Sequence, residues 1–432
     1  MKKYRVLLSA WLVCFAVLVP AVSRAIVYLD ITSAEMKKLS VAIPAFVESG
    51  APGGGGTGKG QEMADLVAKA LIFHGFVSVI PASSYHNTQD ANWASLGADY
   101  AVLCSYGSQG GEMALESKVI DVHANKTLAD KRYVAPWAKA RTTLLKLSDD
   151  VIFQLSGEEG VSNTDIAFVS NKSGYKEVWV CDVLGDHLRQ VTRHHSLCVS
   201  PRFSPDGGRL AYTSYHRGNP DLYVTDLSQS KYTKAISWQP GLNMAPAWAA
   251  DGQTMIVTLS RDSTADLYRM TTNGRIVDRL TKGEGINTSA SWSPDGRRIA
   301  FTSDRSGTPQ IYIMDVGSRQ TQRLTFSGKE NTGPSWSPKG DLIAYTGRAD
   351  GGHQIFVISP DGGEPKQVTQ YWGNYDSPSW APDGRQLVVT RDRGPQQKDL
   401  CRIFLKGGGL TPLFPNAGRQ QAYPQWSPRL PY

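Results

Sequence analysis

Six aromatic residues at positions 203, 248, 292, 336, 380 and 426 each open a short motif, and the steps between them are 44 to 46 residues. The motifs read Phe203-Ser-Pro-Asp-Gly, Trp248-Ala-Ala-Asp-Gly, Trp292-Ser-Pro-Asp-Gly, Trp336-Ser-Pro-Lys-Gly, Trp380-Ala-Pro-Asp-Gly and Trp426-Ser-Pro-Arg. A fixed period of this length marks a repeat architecture, and a four-stranded propeller blade needs about 40–45 residues. Within one repeat, the residues running into the aromatic form a first strand, as from Ala245 to Trp248. Ser-Pro-Asp-Gly then turns the chain: Pro presets φ, Asp bonds its own backbone and Gly accepts positive φ. Second strands follow at Leu210-Ala-Tyr-Thr-Ser and Ile299-Ala-Phe-Thr-Ser, third strands at Asp221-Leu-Tyr-Val-Thr-Asp and Gln310-Ile-Tyr-Ile-Met-Asp, and fourth strands end at Arg323-Leu-Thr and Gln367-Val-Thr. Their alternation of apolar and small polar residues suits half-buried strands.

The ends of the array are out of phase. Ile166-Ala-Phe-Val-Ser is a second strand with no aromatic strand before it, and Trp426-Ser-Pro has no second strand after it. The C-terminal strand is therefore expected to complete the N-terminal blade as its inner strand, closing a six-bladed ring over 163–432. Closure leaves only short, protected sheet edges.

The first residues do not read as mature structure. Lys2, Lys3 and Arg5 precede an apolar run from Val6 to Val19, and Ser23-Arg24-Ala25 offers small residues for cleavage after Ala25. Such a run is too short to span a bilayer and has the form of an export signal. Cys14 lacks the small residue before it that a lipid-attachment site wants, so a soluble exported protein without a membrane span is expected. The formal charge of +7 falls to +3 once Lys2, Lys3, Arg5 and Arg24 leave. That is too mild to argue for nucleic acid. Four of the five cysteines stay in the mature chain, without metal-ligand spacing, and their pairing is left open.

Residues 26–157 lack the repeat and read as a smaller α/β domain, so the fold class is mainly β with a smaller α/β domain. The expected elements are a short extended segment at Ile26, a strand over Leu39–Phe46, and a helix from Gln61 to Phe73 with Leu66, Ala70 and Phe73 on one face. A strand over Phe76–Ile80, a short helix ending over Trp93–Gly97, strands over Tyr100–Tyr106 and Met113–Val122, and an amphipathic helix from Ala138 to Leu155 follow.

Several motifs invite chemistry that their details do not support. Gly53-Gly-Gly-Gly-Thr-Gly-Lys59-Gly60 has the spacing of a phosphate loop, but Gly60 stands where the Mg²⁺-binding hydroxyl is required, so a flexible surface loop is expected and no cofactor. His194 and His195 repeat no ligand pair elsewhere; they read as solvent-facing loop residues, and no metal is expected. The Asp of each turn is a turn former, replaced by Lys339 and Arg429 in two copies. No Gly-x-Ser-x-Gly nucleophile elbow is present and no length remains for a hydrolase domain, so no enzyme is expected.

Taken with Gly97-Ala-Asp-Tyr-Ala-Val, Ile120-Asp-Val, the segment Ser156-Gly-Glu-Glu-Gly160 and Asp165-Ile-Ala-Phe-Val-Ser, the repeats resemble the TolB family of periplasmic Tol–Pal proteins over essentially the whole mature chain. That resemblance implies a periplasmic, monomeric scaffold. Its propeller would bind the lipoprotein Pal and its N-terminal segment TolA, supporting outer-membrane integrity and constriction in division; other outer-membrane or peptidoglycan-associated proteins are further candidate partners. The loops joining one blade to the next (193–199, 237–245, 281–289, 325–333, 369–377 and 415–422) would surround one channel mouth. Candidate contacts there are Leu242, Asn243, Ala245, Asn287, Thr288, Asn331 and Thr332, with Tyr28 and Leu29 in the N-terminal segment. A propeller lectin or small-ligand binder, or an inactive peptidase-related propeller, is the alternative.

Overall fold

The computed structural model describes residues 38–49, 58–85, 89–228, 233–349, 351–370, 372–394, 397–406, 409–414 and 420–432. The expected leader and the segment carrying Tyr28 and Leu29 lie outside them. The N-terminal sheet contains β1 (Leu39–Ala42), β2 (Val47–Glu48), β3 (Val77–Val79), β4 (Tyr100–Gln109), β5 (Glu112–Asp121) and β6 (Lys126–Ala135). Its order is β3-β1-β4-β5-β6, with β2 beside β4. Helices α1 (Gly58–Phe73) and α2 (Ala140–Ser156) share one core with it through Met63, Val67, Leu71, Leu144, Leu147 and Val151.

Four local expectations change. The first strand stops at Ala42, two residues before Pro44, which has no N–H to offer a ladder. Residues 93–97 form turns rather than a helix end, and a single 3₁₀ turn spans Ala82–Tyr85. The buried seam of α1 runs through Met63, Ala64, Val67, Ala70 and Leu71, leaving Leu66 at its margin. Strand β6 gave no apolar signal, because Tyr133 is its one buried side chain. Its Lys126, Asp130, Lys131 and Arg132 suit an edge strand that must not recruit another chain. Gly60 has a steric reason: a Cβ there would lie 2.1 Å from Phe46 O, where α1 crosses the β1–β2 connection. Lys59 rests its ammonium 3.5 Å from the Trp137 ring centroid.

The rest of the chain is a ring of six four-stranded antiparallel sheets. The inner strands are Cys198–Phe203, Asn243–Trp248, Asn287–Trp292, Asn331–Trp336, Asn374–Trp380 and Gln421–Trp426. The last pairs with β7 (Asp165–Ser170), Gln421 opposite Ser170 and Trp426 opposite Ile166, so the C-terminus closes the first-begun blade as expected. Indole N–H groups tie three blades to their predecessors: Trp248 donates to Arg202 O at 3.0 Å, Trp292 to Ala247 O at 3.2 Å and Trp380 to Ser335 O at 2.9 Å, while Trp336 bonds Gly340 O in its own turn. Cys104, Cys181, Cys198 and Cys401 are buried and unpaired.

The Ser-Pro-Asp-Gly turns face the N-terminal domain. Glu158, just past α2, meets Arg385 at 2.9 Å and Lys339 at 3.2 Å, and Arg141 bridges Asp182 and Asp186. Arg402 donates to Phe73 O and lies 4.0 Å over the Phe73 ring; burial lowers its pKa to about 10. His74 is buried beside them. Its Nδ1 donates to Ala70 O and its Nε2 accepts the Val161 N–H, which fixes a neutral ring and joins α1 to the inter-domain linker. The opposite face, carrying the blade-to-blade loops, is left uncovered by this domain.

Candidate partner-binding face

Each inner strand breaks register at the same place. The shifts fall between Val199 and Arg202, Met244 and Ala247, Thr288 and Ser291, Thr332 and Ser335, Asp376 and Ser379, and Ala422 and Gln425. The residue three before each lead aromatic is left-handed: φ is 53° at Ser200, Ala245 and Tyr423, 55° at Ser289 and Ser377, and 61° at Gly333. A left-handed residue other than glycine costs about 1–2 kcal/mol. The ring holds five of them because each bulge re-aims one side chain towards the channel mouth. All six line a channel of about 970 Å³. The signal in the sequence was the dipeptide Ser200-Pro201, Ala245-Pro246, Gly333-Pro334, Ser377-Pro378 and Tyr423-Pro424: proline inside a strand marks a bulge, where its missing N–H interrupts no ladder.

Around this mouth lies a second ring that sequence reasoning missed. Among the described residues, five of the blade-to-blade connections present a large exposed apolar side chain: Leu197, Trp238, Ile286, Phe326 and Trp372. Phe326 is 75% and Trp372 76% exposed, and Arg323 stacks 5.0 Å from the Phe326 ring. Single exposed apolar residues are ordinary; these recur on the connections of one face. In the sequence they are scattered through loops of differing composition, and only the ring gathers them on one face.

The predicted contact residues divide into two groups. Asn243, Asn287 and Asn331 are buried and hold the joints between blades. Asn287 Nδ2 donates to Asp266 Oδ1 at 3.0 Å, where Thr281 Oγ1 also donates, and Asn331 Nδ2 donates to Gln310 Oε1 at 2.8 Å beside Thr325 Oγ1. Asn243 accepts from Ser237 Oγ and donates to Gln239 O. Their amides fix the loops from beneath. Ala245 and Thr332 line the channel. Thr288 and Leu242 are half-buried, Thr288 on the ladder opposite Thr302 and Leu242 at the rim with its N–H on Ser260 Oγ.

His194 is a correction. Rather than facing solvent it packs into the rim, Nδ1 2.7 Å from Ser214 Oγ and its ring 4.5 Å from that of His216, and burial lowers its pKa. His195 stays exposed beside Tyr175. Among the described residues no three His, Cys, Asp or Glu side chains gather as metal ligands. Asp376, at the mouth, has its pKa raised by burial.

The family model for the TolB beta propeller domain matches residues 153–430, and that for the TolB amino-terminal domain matches 27–128. The chain belongs to the TolB family. It is 46% identical over 244 residues to the Tol-Pal system protein TolB of Desulfotalea psychrophila, covering 56% of each chain. It is 35% identical over 223 residues to the Protein TolB homolog of Chlorobaculum tepidum, covering 50% of this chain and 51% of that one. The matched region thus spans a little over half the length of these curated relatives. The crystal structure of TolB from Acinetobacter baumannii superposes with a TM-score of 0.79 at 25% identity, covering 90% of this chain and 97% of that one. Like this TolB-family chain, it is therefore built as one propeller with one smaller domain. No helix among the described residues is long and apolar enough to cross a membrane.

Proposed function

We propose that this chain is a non-catalytic periplasmic component of a Tol–Pal system, a scaffold whose open propeller mouth binds the peptidoglycan-associated lipoprotein Pal while its N-terminal segment engages TolA. The observation that carries the reading is the ring of exposed apolar side chains around the mouth facing away from the N-terminal domain. Aromatic anchors set around a cavity are what a protein interface uses as hot spots, and the bulge ring supplies rigid, pre-shaped backbone between them. Two related proteins carry the name Tol-Pal system protein TolB, which supports the choice of system.

The test is calorimetric titration of the soluble Pal domain against wild type, Ala245→Asp and Thr288→Arg. Both changes put a charge beside the docked partner, and a buried unpaired charge costs several kcal/mol. Asp tolerates the left-handed conformation at 245, so that variant folds. Loss of binding in both, with circular dichroism unchanged, supports the reading. Wild-type affinity in both variants moves the Pal site off this mouth.

A further inference from the structure

The six blades place six equivalent side chains one residue before the lead aromatics: Arg202, Ala247, Ser291, Ser335, Ser379 and Gln425. All six line the channel. Five are small or neutral, and several serve the walls. Ser291 Oγ accepts the Trp336 N–H at 2.9 Å, Ser379 Oγ accepts the Trp426 N–H at 3.0 Å, and Gln425 Nε2 donates to Trp426 O at 3.0 Å. Arg202 breaks the pattern. It sends a guanidinium into a ring otherwise kept narrow-sided, and its side-chain hydrogen bond goes to the neighbouring Pro201 O at 3.0 Å.

Among the described residues no carboxylate forms an ion pair with it, although most arginines on the propeller have one within 4.0 Å. Burial alone lowers its pKa, to about 10, with no charged neighbour contributing. The cation therefore persists at neutral pH with most of its five N–H donors uncommitted to protein. The channel's own carboxylates do not reach it: Glu330 sits by His353 at 4.0 Å, and Asp376 is held near Ser377 and Thr390. Arg202 is partly buried on the channel wall, so its free donors face the channel, and guanidinium geometry favours a planar carboxylate held by two parallel hydrogen bonds.

We propose that Arg202 is the docking point for an acidic side chain, Asp or Glu, carried on the segment that a protein partner inserts through the channel mouth. This deepens the partner-binding reading above and rests on it. The channel opens through the apolar ring, so an anion entering there arrives on a peptide whose apolar neighbours meet that ring. The small side chains at four of the five equivalent positions, Ala247, Ser291, Ser335 and Ser379, leave the width that such a segment needs.

Two experiments decide it. In the first, the Pal domain is titrated by calorimetry into wild type, Arg202→Gln, Arg202→Lys and Thr288→Arg, at low and high salt. Arg202→Gln is expected to weaken binding on the order of 10–100-fold and to flatten the salt dependence, as loss of a charged hydrogen-bonding partner does. Arg202→Lys should recover part of the loss. In the second, the Arg202 ¹⁵Nε–¹Hε resonance, assigned by its absence in Arg202→Gln, is followed as tetraglutamate or sodium sulfate is added without any partner. A saturable shift with tetraglutamate that sulfate at equal charge does not reproduce supports the site. No shift with tetraglutamate, or the same shift with sulfate, overturns it. Wild-type affinity in Arg202→Gln while Thr288→Arg loses binding also overturns it and leaves the docking reading intact. Absence of Pal binding to wild type, with the tetraglutamate shift present, removes the docking reading and keeps the carboxylate site.

Discussion

Trp426→Ala should be the most damaging aromatic truncation in the ring. Trp426 is 2% exposed and packs in one cluster with Ile166, Phe168, Val388 and Phe73. Its indole N–H donates to Thr164 Oγ1 at 2.9 Å, and that hydroxyl donates in turn to Val161 O at 2.7 Å. It thus joins the closing strand, the linker and α1, whose Phe73 ring lies 6.0 Å away. Truncating a buried aromatic costs about 3–5 kcal/mol. The lost hydrogen bond adds about 1 kcal/mol. Against a typical total of about 5–15 kcal/mol the variant is left close to unfolding. Trp292→Ala is the matched control: it occupies the same repeat position, is only partly buried, and its indole bonds Ala247 O at 3.2 Å in mid-ring. Its expected cost is about half as large, since less of its surface leaves water. Urea unfolding followed by circular dichroism reads both. A loss in Trp426→Ala no greater than in Trp292→Ala, or one below about 1 kcal/mol, would refute the claim that the C-terminal strand locks the ring.

Gly60→Ser, which would restore the phosphate-loop hydroxyl, should cost about 1–3 kcal/mol by overpacking against Phe46 O and should confer no ATP binding by calorimetry, and Lys59→Ala should likewise leave partner binding unchanged. His74 makes stability depend on pH: burial lowers its pKa below the ordinary 6.5, against the raising fields of Asp149 and Asp383 and with Arg402 lowering it further. The stability from keeping the ring neutral is full above pH 6.5 and is lost as pH falls below it towards the folded-state value, so His74→Gln should lose less on acidification than wild type. Asp165, its pKa raised by burial to about 6, acts with the opposite sign, which is why the difference between variant and wild-type melting curves is the quantity to compare. Deleting residues 26–33 should abolish titration by the TolA C-terminal domain, spare Pal binding and leave the melting midpoint within a few degrees; a large drop in that midpoint would return the segment to a structural role.

The propeller was legible because its information is local and repeated. A Trp, a proline turn and two alternating strands recur every 44 to 46 residues, and the phase of the two ends alone implies closure by Trp426. The smaller domain was harder wherever burial is sparse: β6 exposes nearly every side chain, and 93–97 is a set of turns with one aromatic. The site was half legible. Loop positions followed from topology, but Asn243, Asn287 and Asn331 read as polar loop residues until the structure placed their amides in the joints between blades. Trp238 and Phe326 stand in the same phase, each ten residues before its lead aromatic, whereas Ile286 and Trp372 fall elsewhere in their repeats, so the apolar ring is only partly periodic in the sequence. Arg202 becomes unusual only when the ring sets it level with an alanine, three serines and a glutamine.

Backbone hydrogen exchange of the full mature chain, with and without the soluble Pal domain, tests the central claim most directly. The expected result is slowed exchange in the connections at 237–245, 281–289 and 325–333, with the turns at 293–297 and 337–341 unchanged on the opposite face. Slowed exchange confined to α1, α2 or the edge strand β6, with those three connections unaltered, would contradict the assignment of the mouth as the partner-binding face.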